Sequence, residues 1–177
     1  MNSMDKIDVR QERPGDQQAI DVVIISAFQG EAEDQLVSGL RDSDAFIPEL
    51  SLVAEVNGRL VGHVLLTRAR VERGGGESRE ILALGPLSVV PSQSYRGIGT
   101  ELVAAGLRQS REMGYGAIVV VGKPAFYQKR GFKAAAEWEL KNSLPVPEST
   151  VSAAELKPGY LDGGGVVKYP APFEELY

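Results

Sequence analysis

The 177-residue sequence contains no cysteine and a single histidine, His63. The first absence excludes disulfides, thiolate metal sites and a cysteine nucleophile. One histidine leaves little material for a histidine-based metal centre or a Ser-His-Asp triad. No window holds 18 uninterrupted apolar residues, so no membrane span is expected. The opening stretch MNSMDKIDVRQERP lacks the apolar core of a secretory signal, which makes the cytoplasm the default address. Cations are also scarce: 19 Lys and Arg face 24 Asp and Glu, a formal net charge of −5. That balance argues against a broad nucleic-acid surface, which needs clustered cations, and it suits a cationic substrate such as an amine. At this length one well-packed domain over residues 1–177 is expected.

The pattern of what is present is mixed. KIDVRQE (6–12) alternates as a strand and Pro14-Gly15 breaks it, with Asp16 placed to cap a helix starting near Gln17. EAEDQLVSGLR (31–41) predicts a second helix with Leu36, Val37 and Leu40 facing inward. LSLVAEV (50–56) and RLVGHVLLTRARVE (59–72) flank Asn57-Gly58, a strong hairpin signal. After GGGES (74–78) comes a strand over 79–90 interrupted by Gly85-Pro86, where a kink or splay is expected. A helix closed by Gly114 follows, then the continuous apolar run GAIVVVG (116–122) of a buried central strand. PAFYQKRGF (124–132) reads as a short helix between Pro124 and Gly131. The remainder alternates weakly. The whole is an α/β (α+β) pattern around a mostly antiparallel sheet.

One turn stands out. In PSQSYRGIGTEL (91–102), Gly97 and Gly99 open a helix, although each costs roughly 0.5–1 kcal/mol inside one relative to alanine. A helix N-terminus with unpaired N–H groups is a ready anion site, and bare glycines let its backbone approach a phosphate. Tyr95 and Arg96 add a ring and a fixed cation. Plain turn glycines are the competing reading. A dinucleotide fingerprint needs glycine at 102, which is Leu102, and a P-loop needs Lys-Ser/Thr after the loop, where Thr100-Glu101 stands. Both fail.

The run LSVVPSQSYRGIGTELVAAGLRQSREMGYGAIVVVGKPAFYQKRGF resembles the acyl-CoA-binding core of GNAT N-acetyltransferases, nearest to the YhbS-like branch. Strand with terminal proline, Gly-x-Gly helix, strand and Tyr-x-x-x-Gly-Phe helix follow that superfamily's order. The upstream segments LSLVAEVNGRLVGHVLL, ALGPLSVVP and AFQGEAEDQLVSGLR fit the same branch. The likeness covers about residues 7–140, and 141–177 more loosely. It implies the GNAT fold, with a mixed, mostly antiparallel sheet splayed between its central strands and flanked by helices. It implies that Ser94, Tyr95, Arg96, Gly97, Ile98, Gly99 and Thr100 hold the pyrophosphate of acetyl-CoA. The backbone of Leu87, Ser88 and Val89 would hold the pantetheine arm, with a backbone N–H polarising the acetyl carbonyl. Tyr127 would be the general acid for the departing thiolate; Phe126 beside it is the better core candidate. The implied activity is direct acetyl transfer from acetyl-CoA to a primary amine of a small molecule or protein, with no metal, by a monomer or homodimer. The rival class is a non-catalytic acyl-CoA-binding regulatory module.

Two positions depart from the family pattern. Ser94 stands where Gln or Arg is usual, with Gln93 one residue earlier, and Lys123 stands where this branch often has histidine. No acid lies within ILALGPLSVV, so the candidate bases are Glu31, Glu33, Glu80, Glu137 and Glu139. His63 reads as structural rather than as a base. Trp138 is a candidate wall of the acceptor pocket or a core residue.

Overall fold

β1 (Ile7–Gln11) ends ahead of the Pro14-Gly15 turn, where Gly15 takes φ 97°, and the chain passes into α1 (Gln17–Phe28) and α2 (Ala32–Arg41). The computed structural model describes residues 5–94 and 96–177. Asp16 precedes α1 as expected but does not cap it with its side chain. Its carboxylate turns back to accept from Arg10 Nη1 (2.8 Å) and the Arg13 N–H (2.7 Å). A guanidinium offers a charge-assisted bond roughly twice as strong as a neutral amide can.

β2 (Ser51–Val56) and β3 (Arg59–Glu72) form the expected hairpin. Asn57 and Gly58 sit at φ 52° and 77°, the left-handed pair that a two-residue turn between twisted strands requires. β4 (Ser78–Val89) returns antiparallel along β3. α3 (Ile98–Glu112) leads into β5 (Ala117–Val121), and α4 (Pro124–Tyr127) follows. Then come β6 (Lys133–Ala134), β7 (Leu140–Asn142), β8 (Val151–Glu155), β9 (Gly165–Lys168) and α5 (Pro172–Leu176).

The main sheet runs β1-β2-β3-β4-β5-β8-β6, with β9 pairing β3 and β7 pairing β9. Among the described residues every pairing is antiparallel except β4 with β5 and β7 with β9. The central strands are buried on both faces, because side chains alternate with period two between two cores. Leu65, Ile81, Ala83, Ala117 and Val119 face α1, α2 and α5; Val64, Leu66, Leu82, Leu84, Ile118 and Val120 face α3. Each fully buried Leu, Ile or Val contributes about 1.5–3 kcal/mol relative to exposure.

α3 lies close against the sheet because two glycines admit it. A Cβ on Gly62 would come within 2.9 Å of both Ile98 and Leu102, and one on Gly106 within 3.1 Å of Leu66. This docking fixes where the N-terminus of α3 points.

Candidate active site

The Gly85-Pro86 interruption parts the sheet at its centre. β4 pairs with β5 only from Leu82 to Leu84, against Ile118 to Val120, yet it follows β3 as far as Val89. Gly85 takes φ 147°, Pro86 has no N–H, and the β3–β4 register shifts between Val64 and Leu66. Beyond Leu84 the β5-facing edge of β4 therefore has no strand partner among the described residues. The Val90 N–H is donated to the Val61 carbonyl on β3 at 2.9 Å. Strand alternation then turns the N–H groups of Leu87 and Val89 to the opposite edge, into the gap, and that of Ser88 toward β3. The Ser88 side chain is buried, and its Oγ has no hydrogen-bond partner among the described residues.

One end of this gap meets the N-terminus of α3. Gly97 caps the helix at φ 82°, and a Cβ there would meet nothing within 4 Å. The backbone conformation thus selects glycine, and the space beside it is open. The first internal bond of the helix runs from the Glu101 N–H to the Gly97 carbonyl. The N–H groups of Ile98, Gly99 and Thr100 have no acceptor among the described residues, as a helix start requires. A cleft of about 600 Å³ opens over them, lined by Leu87, Val89, Ser94, Gly97, Gly99 and Phe126, among others. Tyr95 lies outside the described residues. Arg96 donates to Gln93 Oε1 at 2.6 Å and lines a separate hollow on the α1 side of the turn.

A different cation lines the cleft, one that the motif spacing does not reveal. The Arg130 guanidinium lies 3.8 Å over the Phe126 ring and donates to the Phe126 carbonyl (2.6 Å) and to Thr100 Oγ1 (2.9 and 2.7 Å). It thereby joins the end of the α4 segment to the first turn of α3, beside the unpaired N–H groups. The only sequence signal was a basic residue just before Gly131.

The other end of the gap is a cavity of about 200 Å³, and Phe28 and Leu87 line both spaces. Tyr127 stands in its wall, 8% exposed. Its ring meets Phe126 and Phe132 edge-on, at 5.0 and 5.5 Å between centroids. It also rests on the bare backbone of Gly122, where a Cβ would approach Tyr127 Cε2 to 2.6 Å. The expected division of labour is thus reversed: Tyr127 is the buried ring and Phe126 the half-exposed one, because Gly122 leaves a slot for the former. Burial pushes the Tyr127 phenol up to about 12, helped by Tyr177 and opposed by Arg130. The hydroxyl therefore stays protonated at neutral pH and makes no hydrogen bond among the described residues.

The remaining candidates separate cleanly. Glu33 lines the Tyr127 cavity; Glu80 lines a different cleft, about 450 Å³, between β3, β4 and the β9–α5 connection. Glu31, Glu137 and Glu139 are exposed and line neither space beside the gap. His63 is fully buried, its Nε2 2.9 Å from Ser51 Oγ. Ser51 in turn donates to Glu12, whose carboxylate takes a two-pronged bond from Arg41 at 2.7 and 2.8 Å. This chain ties α2 to β1, β2 and β3 and stands apart from the gap. Trp138 packs into the core on the α1–α2 face and lines neither space. Lys123 is exposed and immediately precedes α4. Among the described residues no helix is long and apolar enough to cross a membrane.

Comparison with known proteins gives a consistent result. Residues 8–135 match the acetyltransferase (GNAT) domain family. The chain is 34% identical to the N-acetyltransferase YhbS of Escherichia coli K12 over 170 residues, covering 95% of this chain and 99% of that protein. It is 34% identical to the N-acetyltransferase YjhQ of the same organism, over 69% of this chain and 67% of that one. The crystal structure of E. coli YhbS in complex with CoA superposes with a TM-score of 0.86 at 31% identity, covering 98% and 94% of the two chains. A GNAT acetyltransferase from Brucella melitensis in complex with acetyl-CoA gives 0.76 at 31% identity, over 95% and 98%. The chain belongs to the GNAT acetyltransferase family and is an acyltransferase built on that fold.

Proposed function

We propose that this protein transfers the acetyl group of acetyl-CoA to a primary amine by direct attack. The observation that carries the reading is a pair of adjoining spaces along the parted strands, with Phe28 and Leu87 in the walls of both. Unpaired N–H groups lie at one end, an unpartnered strand edge runs along them, and a buried phenol stands at the other. The helix start, with Gly97 and Gly99 bare and Arg130 beside it, suits a pyrophosphate. The outward N–H groups of Leu87 and Val89 suit an extended amide-bearing arm, which would add to β4 as a strand does.

Each atom has a destination in the reaction. The neutral amine nitrogen attacks the thioester carbon, and the N–C bond forms while a β4 N–H stabilises the developing oxyanion. The C–S bond then breaks, the nitrogen loses one proton to solvent, and the sulfur gains one from Tyr127. The phenolate recovers its proton from solvent. Tyr127 acts as a donor and not as a base, since burial keeps it protonated. A buried phenol at the end of the gap favours turnover over mere binding.

Substituting Tyr127→Phe tests the role. Turnover should fall at least tenfold while affinity for acetyl-CoA is retained, because the ring's packing against Phe126 and Phe132 survives. Unchanged turnover would remove Tyr127 from the mechanism.

A further inference from the structure

The walls of the 200 Å³ cavity restrict what can reach the acetyl group, and this inference rests on the transfer reaction proposed above. Its floor is the parted strand pair, Leu84 to Leu87 and Val121, with Tyr127. Its roof comes from segments far apart in sequence: the end of α1, the first turn of α2, Tyr169, and the α5 segment through Tyr177. Nearly all of that lining is aliphatic, aromatic or phenolic. Among the described residues one lining side chain is charged, Glu33. Glu33 has no ion-pair partner among the described residues, and its negative charge helps burial hold the Tyr177 phenol above its ordinary value. Glu33 thus stands in the wall of the cavity, on the roof side.

The volume is also informative. Small-molecule sites usually enclose about 300–1,000 Å³, and this cavity is smaller and must also admit the acetyl end of the donor. The Tyr169 ring lines both this cavity and the 450 Å³ cleft beyond it, and so separates the two. That outer cleft carries Asp44, Glu80, Arg68, Arg70 and Lys168. Among the described residues, cations line the space beyond Tyr169 and none lines the cavity inside it.

We infer that the acceptor is a small monoamine with a compact apolar body, aliphatic or arylalkyl, whose ammonium is received by Glu33 and loses a proton to solvent before the neutral nitrogen attacks. The reasoning is electrostatic. One cationic group finds one carboxylate. A second ammonium, as in a diamine or polyamine, would be buried against apolar walls with no counter-charge. The α-carboxylate of an amino acid would enter a cavity lined by no cation and carrying a like charge at Glu33. Burying an unpaired ion is costly even after relaxation, so such acceptors are strongly discriminated against. The apolar body, by contrast, gains from contact with Leu36, Phe173 and Leu176.

Three amines of similar size test this directly, with acetyl-CoA as donor and thiol release as the readout. 3-Methylbutylamine has the apolar body alone, leucine adds a carboxylate to it, and 1,5-diaminopentane replaces it with a chain ending in a second ammonium. The expected result is a kcat/KM for 3-methylbutylamine at least tenfold above both others. Glu33→Gln should raise its KM at least tenfold while the KM for acetyl-CoA stays the same, and Glu33→Asp should recover part of the loss. Equal or better use of leucine or the diamine would overturn the inference, as would an unchanged KM in Glu33→Gln or no turnover of any of the three. Calorimetric titration with acetyl-CoA separates the two levels. A protein that binds acetyl-CoA but prefers the diamine refutes the acceptor class alone, whereas one that does not bind acetyl-CoA refutes the transfer reaction as well.

Discussion

Two glycines carry opposite halves of the proposed chemistry. Gly97 is glycine for its backbone, at φ 82° with open space where a side chain would project; Gly122 is glycine for its surroundings, because the Tyr127 ring occupies the place of a Cβ. Gly97→Val forces a β-branched residue into the left-handed region and puts methyl groups over the unpaired N–H groups. It should abolish acetyl-CoA binding with the fold intact. Gly122→Ala crowds a ring already held by Phe126 and Phe132, an overpacking that costs about 1–3 kcal/mol. It should lower kcat about tenfold and leave acetyl-CoA affinity in place. Calorimetry and steady-state kinetics on the pair check this, and identical defects in both variants would contradict the assignment. Gly97 was legible in the sequence because a glycine at a helix mouth breaks a local rule. Gly122 and Arg130 break none: one is a strand-end glycine and the other a last-turn cation. Their roles depend on where α4 packs, which no local pattern encodes.

Among the elements, the hairpin, the Gly-x-Gly helix and the parting of β4 from β5 were legible because each has a local cause: Asn57-Gly58, the helix-mouth glycines, and Gly85-Pro86 inside an apolar strand. The placement of β8 between β5 and β6 was not, since partner choice among short strands is decided by distant packing. α5 was missed because five residues opened by a proline give no periodic signal. His63 carries a consequence for pH at this scale. Burial lowers its pKa to about 3, against about 6.5 in an unfolded chain. Below pH 6.5 the unfolded state takes up a proton that the fold refuses, so stability falls by about 1.4 kcal/mol per pH unit as pH drops. Asp34 opposes this. Burial, with Asp21 and Glu31 nearby, raises it to about 6, so between pH 6 and its ordinary value of 3.8 the fold binds the extra proton and stability rises on acidification. The two titrations should show as opposite changes in how melting temperature responds between pH 6 and 4.5. Acidification over that window should lower the melting temperature of His63→Gln less than that of the parent protein, and of Asp34→Asn more. Parallel profiles for all three proteins would refute the opposed titrations.

On the scale of the whole molecule, the two cores on either side of the sheet do different jobs. The α3 face anchors the helix whose N-terminus would take the phosphates, through close contact at Gly62 and Gly106. The α1–α2–α5 face supplies the roof over Tyr127 and, with Glu33, the proposed choice of acceptor. The first face was legible from residues 87–132, because its elements follow one another in sequence. The second was not, because its roof is assembled from α1, α2 and the segment after β9, more than a hundred residues apart. Both faces serve one claim, that the parted strands and the bare helix start form a site for acetyl-CoA. Calorimetric titration of the purified protein with acetyl-CoA, with ATP and NAD as controls, tests it most directly. The account predicts saturable binding of acetyl-CoA and no comparable binding of the other two. No binding at millimolar acetyl-CoA, or equal affinity for all three, would contradict it.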